Sequence, residues 1–176
     1  VDPTAAATFT ERDAFHDAID RDAAMPTPPK RSIRSRAAVA GHPLHPVMIH
    51  FPVAALLALV ASDLGYLYSG DPFWARVSLW LAGVGAFGGW VASLAGVIDL
   101  VTVRGIRRLV TAWSHAMVAV VMLSLASLNW LWRFLGEALL PWGLALSLAT
   151  AALIALAGFL GGQLVYEHAV GVDLDD

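Results

Sequence analysis

The stretch Leu139–Tyr166 reads LLPWGLALSLATAALIALAGFLGGQLVY, without one charged side chain. About 20 mainly apolar residues are enough for a helix to cross the hydrocarbon of a bilayer, and this run is longer than that. Three similar runs precede it, Val47–Tyr68, Trp74–Val103 and Leu109–Phe134. The links between them are short: Ser69-Gly-Asp-Pro72 is a turn by its chemistry, and Arg104-Gly-Ile-Arg-Arg108 is a tight basic connection. Consecutive helices on short links become antiparallel neighbours. The predicted fold is therefore all-α, an integral membrane up-down four-helix bundle with a mostly irregular N-terminal tail.

Composition points the same way. The chain is 58% hydrophobic and 14% charged, whereas about a quarter of a soluble domain's residues are charged. A net charge of −3 and the lack of a basic face interleaved with aromatics exclude nucleic acid as a partner. Cysteine is absent, which excludes disulfides, thiolate metal sites and cysteine-ligated iron–sulfur clusters.

Residues 1–40 read as a soluble tail. Glu11, Arg12, Asp13, Asp17, Asp20, Arg21 and Asp22 predict a short solvated helix from near Thr10, which the proline-rich Met25-Pro-Thr-Pro-Pro-Lys30 ends. Val1–Thr10 has neither a basic start nor a long apolar run, so no signal peptide is visible. Residues 41–168 form the transmembrane domain and residues 169–176 an acidic C-terminal tail.

Lys30, Arg31, Arg34, Arg36, Arg104, Arg107 and Arg108 flank the first span's start and the second link, against only Arg76 and Arg133 at the opposite ends. The positive-inside rule then places both termini in the cytoplasm, the chain being expected to cross the cytoplasmic membrane. Trp74, Trp80, Trp130, Trp132 and Trp142 fall near the other face, as belt residues do.

Polar residues gather at the basic face. His42, His45 and His50 stand at the entry to the first span, Asp99 near the end of the second, His115 inside the third, and Glu167 with His168 at the end of the fourth. At about 1.5 Å per residue, His50, Asp99 and His115 fall within roughly one turn of each other in depth. The first and third helices are diagonal in an up-down bundle, so His50 and His115 are expected to face each other across its core. Two neutral imidazoles suit the axial positions of haem iron; a histidine bonded to Asp99 or to a backbone carbonyl is the plain alternative. Asp99 can orient a histidine, carry a proton, or clamp Arg104 or Arg108. His42 and His45 have metal-pair spacing in a proline-stiffened stretch, although interfacial polarity explains them too. Asp63, near the far end of the first span, reads as solvated or capped. Gly85, Gly89, Ala92 and Gly96 on the second span, and Gly158 and Gly161 on the fourth, form small-residue stripes. Such stripes mean close helix packing or clearance for a flat macrocycle. Hydrolase, P-loop, dinucleotide and Glu-x-x-His di-iron patterns are missing.

The run Gly41-His-Pro-Leu-His-Pro-Val-Met-Ile-His-Phe-Pro-Val53, with Leu94-Ala-Gly-Val-Ile-Asp-Leu100 and His115, resembles a bacterial family of small four-span membrane proteins catalogued as domain of unknown function 2231. The resemblance covers roughly Gly41 to His168. That family is similar in layout to b-type cytochrome membrane subunits, and members stand beside redox domains, which implies haem binding.

The function expected from the sequence is a membrane electron-transfer subunit carrying haem b. His50 and His115 are its axial (metal) ligands and His168 or His45 the substitutes. Asp99 and Arg108 would orient ligands or meet haem propionates. Its partners are the lipid bilayer, other subunits of a membrane redox complex, and quinone. A cofactor-free assembly subunit and a non-haem metal protein using His42, His45, His50 and Asp99 are the competing readings.

Overall fold

In the computed structural model, residues 32–136 and 139–174 are described. The expected helix near Thr10 and its proline-rich break lie outside them. Four long helices dominate: α1 (Leu44–Ser69), α2 (Pro72–Thr102), α4 (Val110–Phe134) and α5 (Leu144–Tyr166), with the short α3 (Arg104–Arg107) in the second link. Each long helix, α5 together with the wide turn Leu139–Gly143 before it, is long and apolar enough to cross a membrane.

Local chemistry sets the boundaries. Helix α1 begins at Leu44, three residues before the apolar run suggests, because Pro46 in the first turn lacks only an N–H that has no helical partner there. Gly70 ends it in the left-handed conformation at φ 66°, its N–H reaching the Tyr66 carbonyl. Asp71 then caps α2, accepting from the Phe73 N–H at 2.8 Å, with Pro72 at the first helical position. The turn before α5 contains extended Leu140 and a cis Leu140–Pro141 bond.

Each long helix packs against its sequence neighbours, and α5 returns to α1, closing an up-down ring in which α1 and α4 are diagonal. The centre is apolar: Leu56, Leu59, Ala82, Ala86, Met122, Leu123, Ala126 and Ile154 form one cluster. Phe51, Trp80, Phe87, Met117 and Phe159 face outward, as a lipid-bathed surface requires.

The two hairpins repeat one burial pattern. Pro52, Leu56, Leu59 and Asp63 on α1 recur, at identical spacing, as Met122, Ala126, Asn129 and Arg133 on α4. Ser78, Ala82, Gly85, Gly89 and Ala92 on α2 recur as Gly143, Ser147, Thr150, Ile154 and Ala157 in the fourth span. Two equivalent pairs, Asp63 with Arg133 and His45 with His115, meet across the bundle.

The glycine stripe is packing. A Cβ on Gly85 would lie 2.5 Å from Leu56 carbons, and one on Gly89 2.3 Å from a Leu123 methyl. Gly85→Val should accordingly lose about 1–3 kcal/mol by overpacking, seen as an earlier unfolding midpoint in dodecyl maltoside/SDS titrations. Gly158→Ala, with nothing within 4 Å of the added carbon, should cost nothing.

Two short strands, β1 (Ala38–Val39) and β2 (His42–Pro43), pair just ahead of α1 around a turn in which Ala40 and Gly41 adopt φ 49° and 80°. Within the described part of the tail, residues 32–40, regular structure is thus limited to β1 and a bridge at Ile33. Ile33 also bridges the C-terminal segment: its N–H donates to Ala169 and its carbonyl accepts from Gly171. The flanks of the bundle are zipped together over one end.

Candidate functional site

That zipped end carries the histidines. His45 lies in the first turn of α1, half-buried, and its Nδ1 is 3.0 Å from the Ala92 carbonyl of α2. His115, in the second turn of α4, repeats the arrangement, with Nδ1 3.0 Å from the Ala157 carbonyl of α5. A carbonyl only accepts, so Nδ1 donates in both rings, and in the neutral form of each Nε2 keeps its lone pair. No hydrogen bond to either Nε2 occurs among the described residues. The ring centres are 6.1 Å apart, with planes at 84°. Glycines seat both rings: a Cβ at Gly96 would meet His45 Nδ1 at 3.2 Å, and one at Gly161 would meet His115 Cε1 at 3.4 Å. Each glycine follows its ring's carbonyl partner by one turn, so the two seats are equivalent in the two hairpins.

The juxtaposition expected for His50 falls instead to His45. His50 is exposed, its ring 3.4 Å from the Val47 carbonyl of its own helix. Five residues beyond His45, it points about 140° away around α1. The prolines of His-Pro-Leu-His-Pro suggest extended chain, which conceals that His45 is already helical. His42 is exposed and bonds the Ala40 carbonyl at 2.9 Å, so it does not converge with His45. His168 is half-buried just past α5, and the exposed Glu167 takes a bond from Gln163 at 3.3 Å. Arg108 is exposed at the end of α3.

Asp99 is committed to the chain ahead of α1. It accepts from the Ser35 hydroxyl and from the backbone N–H groups of Arg36 at 2.7 Å and Ala37 at 2.9 Å. This replaces the expected clamp to Arg104 or Arg108. Successive amides converging on one carboxylate make a strong acceptor site, and it fixes the segment that leads into His45. Among the described residues no group of three or more His, Asp or Glu is placed to hold a metal ion. The set His42, His45, His50 and Asp99 is not assembled.

The other end holds a site that the sequence reading missed. Asp63, expected to be solvated or capped, is 0% exposed. Its oxygens accept from Arg133 Nη1 and Nη2, each at 2.8 Å. Ser78 adds a bond to Asp63 at 2.7 Å and Ser147 another at 2.6 Å. Arg133 Nε donates to Asn129 at 2.9 Å and Nη2 to Ser147 at 3.0 Å. All four long helices contribute. Among the described residues no buried side-chain nitrogen or oxygen lacks a partner, as burial of polar groups in lipid demands. The i,i+4 pair Asn129 and Arg133 on one helical face was the available signal. Belt position and flanking charge concealed it.

Arg133 also borders an open cleft of about 250 Å³, shared with Pro72, Ala75, Arg76, Leu79 and Leu139.

With this geometry in place, comparison with known proteins gives one match: residues 41–174 fit the family described as Predicted membrane protein (DUF2231). No curated protein and no solved structure matches the chain.

Proposed function

We propose, from the premise that the chain belongs to the DUF2231 family of predicted membrane proteins, that it is a membrane electron-transfer subunit binding b-type haem through His45 and His115. One observation carries this reading: two imidazoles from diagonal helices meet with both Nδ1–H groups held by carbonyls and both Nε2 lone pairs free. The donor set fits haem iron, which accepts two neutral axial nitrogens. His45 and His115, with ring centres 6.1 Å apart, would hold the iron. Bound haem would supply one-electron exchange at its iron.

The chain's own residues do the rest. The Ala92 and Ala157 carbonyls fix each ring's tautomer and direction, and make Nε2 a better donor. Asp99 positions the start of α1, and with it His45. The apolar cluster around Leu56, Leu59, Leu123 and Ile154 separates this end from the Asp63–Arg133 end. Electron transfer needs no polar path through that cluster. The centre would pass electrons between a partner redox protein and quinone or another haem.

The test is the reduced-minus-oxidised absorbance spectrum of the full chain purified from haem-replete cells. Wild type should show b-type bands; His45→Ala and His115→Ala should abolish them, and His50→Ala should keep them. A wild-type chain without these bands overturns the proposal.

A cofactor-free assembly subunit is the second reading, favoured by glycine hollows already filled by Leu56, Leu123, His45 and His115. It predicts that His45→Leu with His115→Leu leaves assembly of the membrane complex unchanged.

A further inference from the structure

The cleft beside Arg133 has the chemistry of a phosphate site. One of its lining residues, Arg133, has a guanidinium that Asn129, Asp63 and Ser147 hold in place. Asp63 neutralises that charge. Arg76, on the same cleft, is exposed and makes no ion pair or hydrogen bond among the described residues. Among the described residues lining the cleft, Arg76 is therefore the cation in surplus. Pro72, Ala75, Leu79 and Leu139 supply apolar walls.

Its position in the fold narrows the ligand. Arg76 lies one turn into α2, and Arg133 is the penultimate residue of α4, so the cleft opens at the ends of membrane-crossing helices. Phosphates of lipid headgroups lie at that level, with glycerol and the first methylenes just beneath. Arginine matches phosphate oxygens through its planar fork of N–H donors. At about 250 Å³, the open cleft accommodates a phosphate with a short organic substituent.

We propose that the cleft between the start of α2 and the end of α4 binds a phosphate group carrying net negative charge, through Arg76, with the held Arg133 beside it. An anionic headgroup such as phosphatidylglycerol and free phosphate share this chemistry, and the experiment separates them.

The full chain is purified with either phosphatidylcholine alone or a mixture containing phosphatidylglycerol, and retained lipid is counted by native mass spectrometry. Thermal stability is followed in parallel with and without inorganic phosphate. Preferential retention of phosphatidylglycerol, weakened roughly tenfold or more in Arg76→Gln as for loss of a charge-assisted bond, establishes a lipid site. Absence of lipid preference, with phosphate-dependent stabilisation lost in Arg76→Gln, establishes a free-phosphate site. If neither effect occurs, or if Arg76→Gln leaves both intact, the proposal is overturned. Because Arg76 is exposed and touches no other polar group described, the variant should fold with unchanged helix content, which circular dichroism checks.

Discussion

Arg133→Ala should cost about 3–5 kcal/mol of bundle stability, the cost of leaving one partner of a buried ion pair alone. The variant leaves Asp63 fully enclosed with two serine hydroxyls and no cation. The carboxylate is then left without a cation, and the far end must admit water through the cleft that Arg133 borders or open. Asp63→Asn should cost less, since an amide oxygen still accepts from Arg133 while the guanidinium loses only half its fork. Replacing both residues with leucine removes the charges together. It should be far milder than either truncation, because the large penalty belongs to the orphaned charge. Midpoints of SDS-induced unfolding in dodecyl maltoside would measure all four chains. A double-leucine variant no more stable than Arg133→Ala would sink this account. Since residues 63 and 133 are equivalent positions of the two hairpins, exchanging them (Asp63→Arg with Arg133→Asp) should recover much of what either single reversal loses.

The second large effect should come from Asp99→Ala. Hydrogen bonds to charged groups are worth about 1.5–3 kcal/mol each, and do not sum fully, so losing this acceptor should cost about 3 kcal/mol. Its consequence is local: residues 35–37 detach, and the start of α1 loosens with them. Trypsin cleavage at Arg34 and Arg36 should accelerate, and the amides of Arg36 and Ala37 should lose exchange protection while the centre of α2 keeps it. Asp99→Asn is the informative control. Both backbone donors use the same carboxylate oxygen, Oδ1, which an amide carbonyl can replace, and the Ser35 hydroxyl can turn to accept from the new NH2. This variant should stay close to wild type. Equal proteolysis in Asp99→Ala and wild type would show that the segment is held by the Ile33–Ala169 and Gly171–Ile33 bonds instead.

Much of the molecule was legible from the sequence. Run length and link chemistry define four spans, and the structure places them within a few residues of the expected bounds. The clustering of His45, Asp99 and His115 toward one end was legible as well, since depth follows from counting along a helix. Which residues face each other was not. His50 seemed the natural partner of His115 because it lies within apolar sequence, but rotation about α1 turns it outward and brings His45 in. Asp63 seemed solvated because it sits near a helix end. Its environment depends on Arg133, Ser78 and Ser147, which are distant in sequence and become neighbours only when the two hairpins close.

The sequence by itself determined that this chain forms four apolar rods in up-down order, with imidazoles near one end. Only the tertiary structure decided which side of each rod looks inward. The reason is physical. In water, the inward face of a helix is marked by its apolar stripe, but lipid tails are as apolar as leucine, so an enclosed face and a lipid-facing one are written in the same residues. Helix rotation is then settled by where small residues let neighbours approach and where buried polar groups find partners, and those matches exist only between helices.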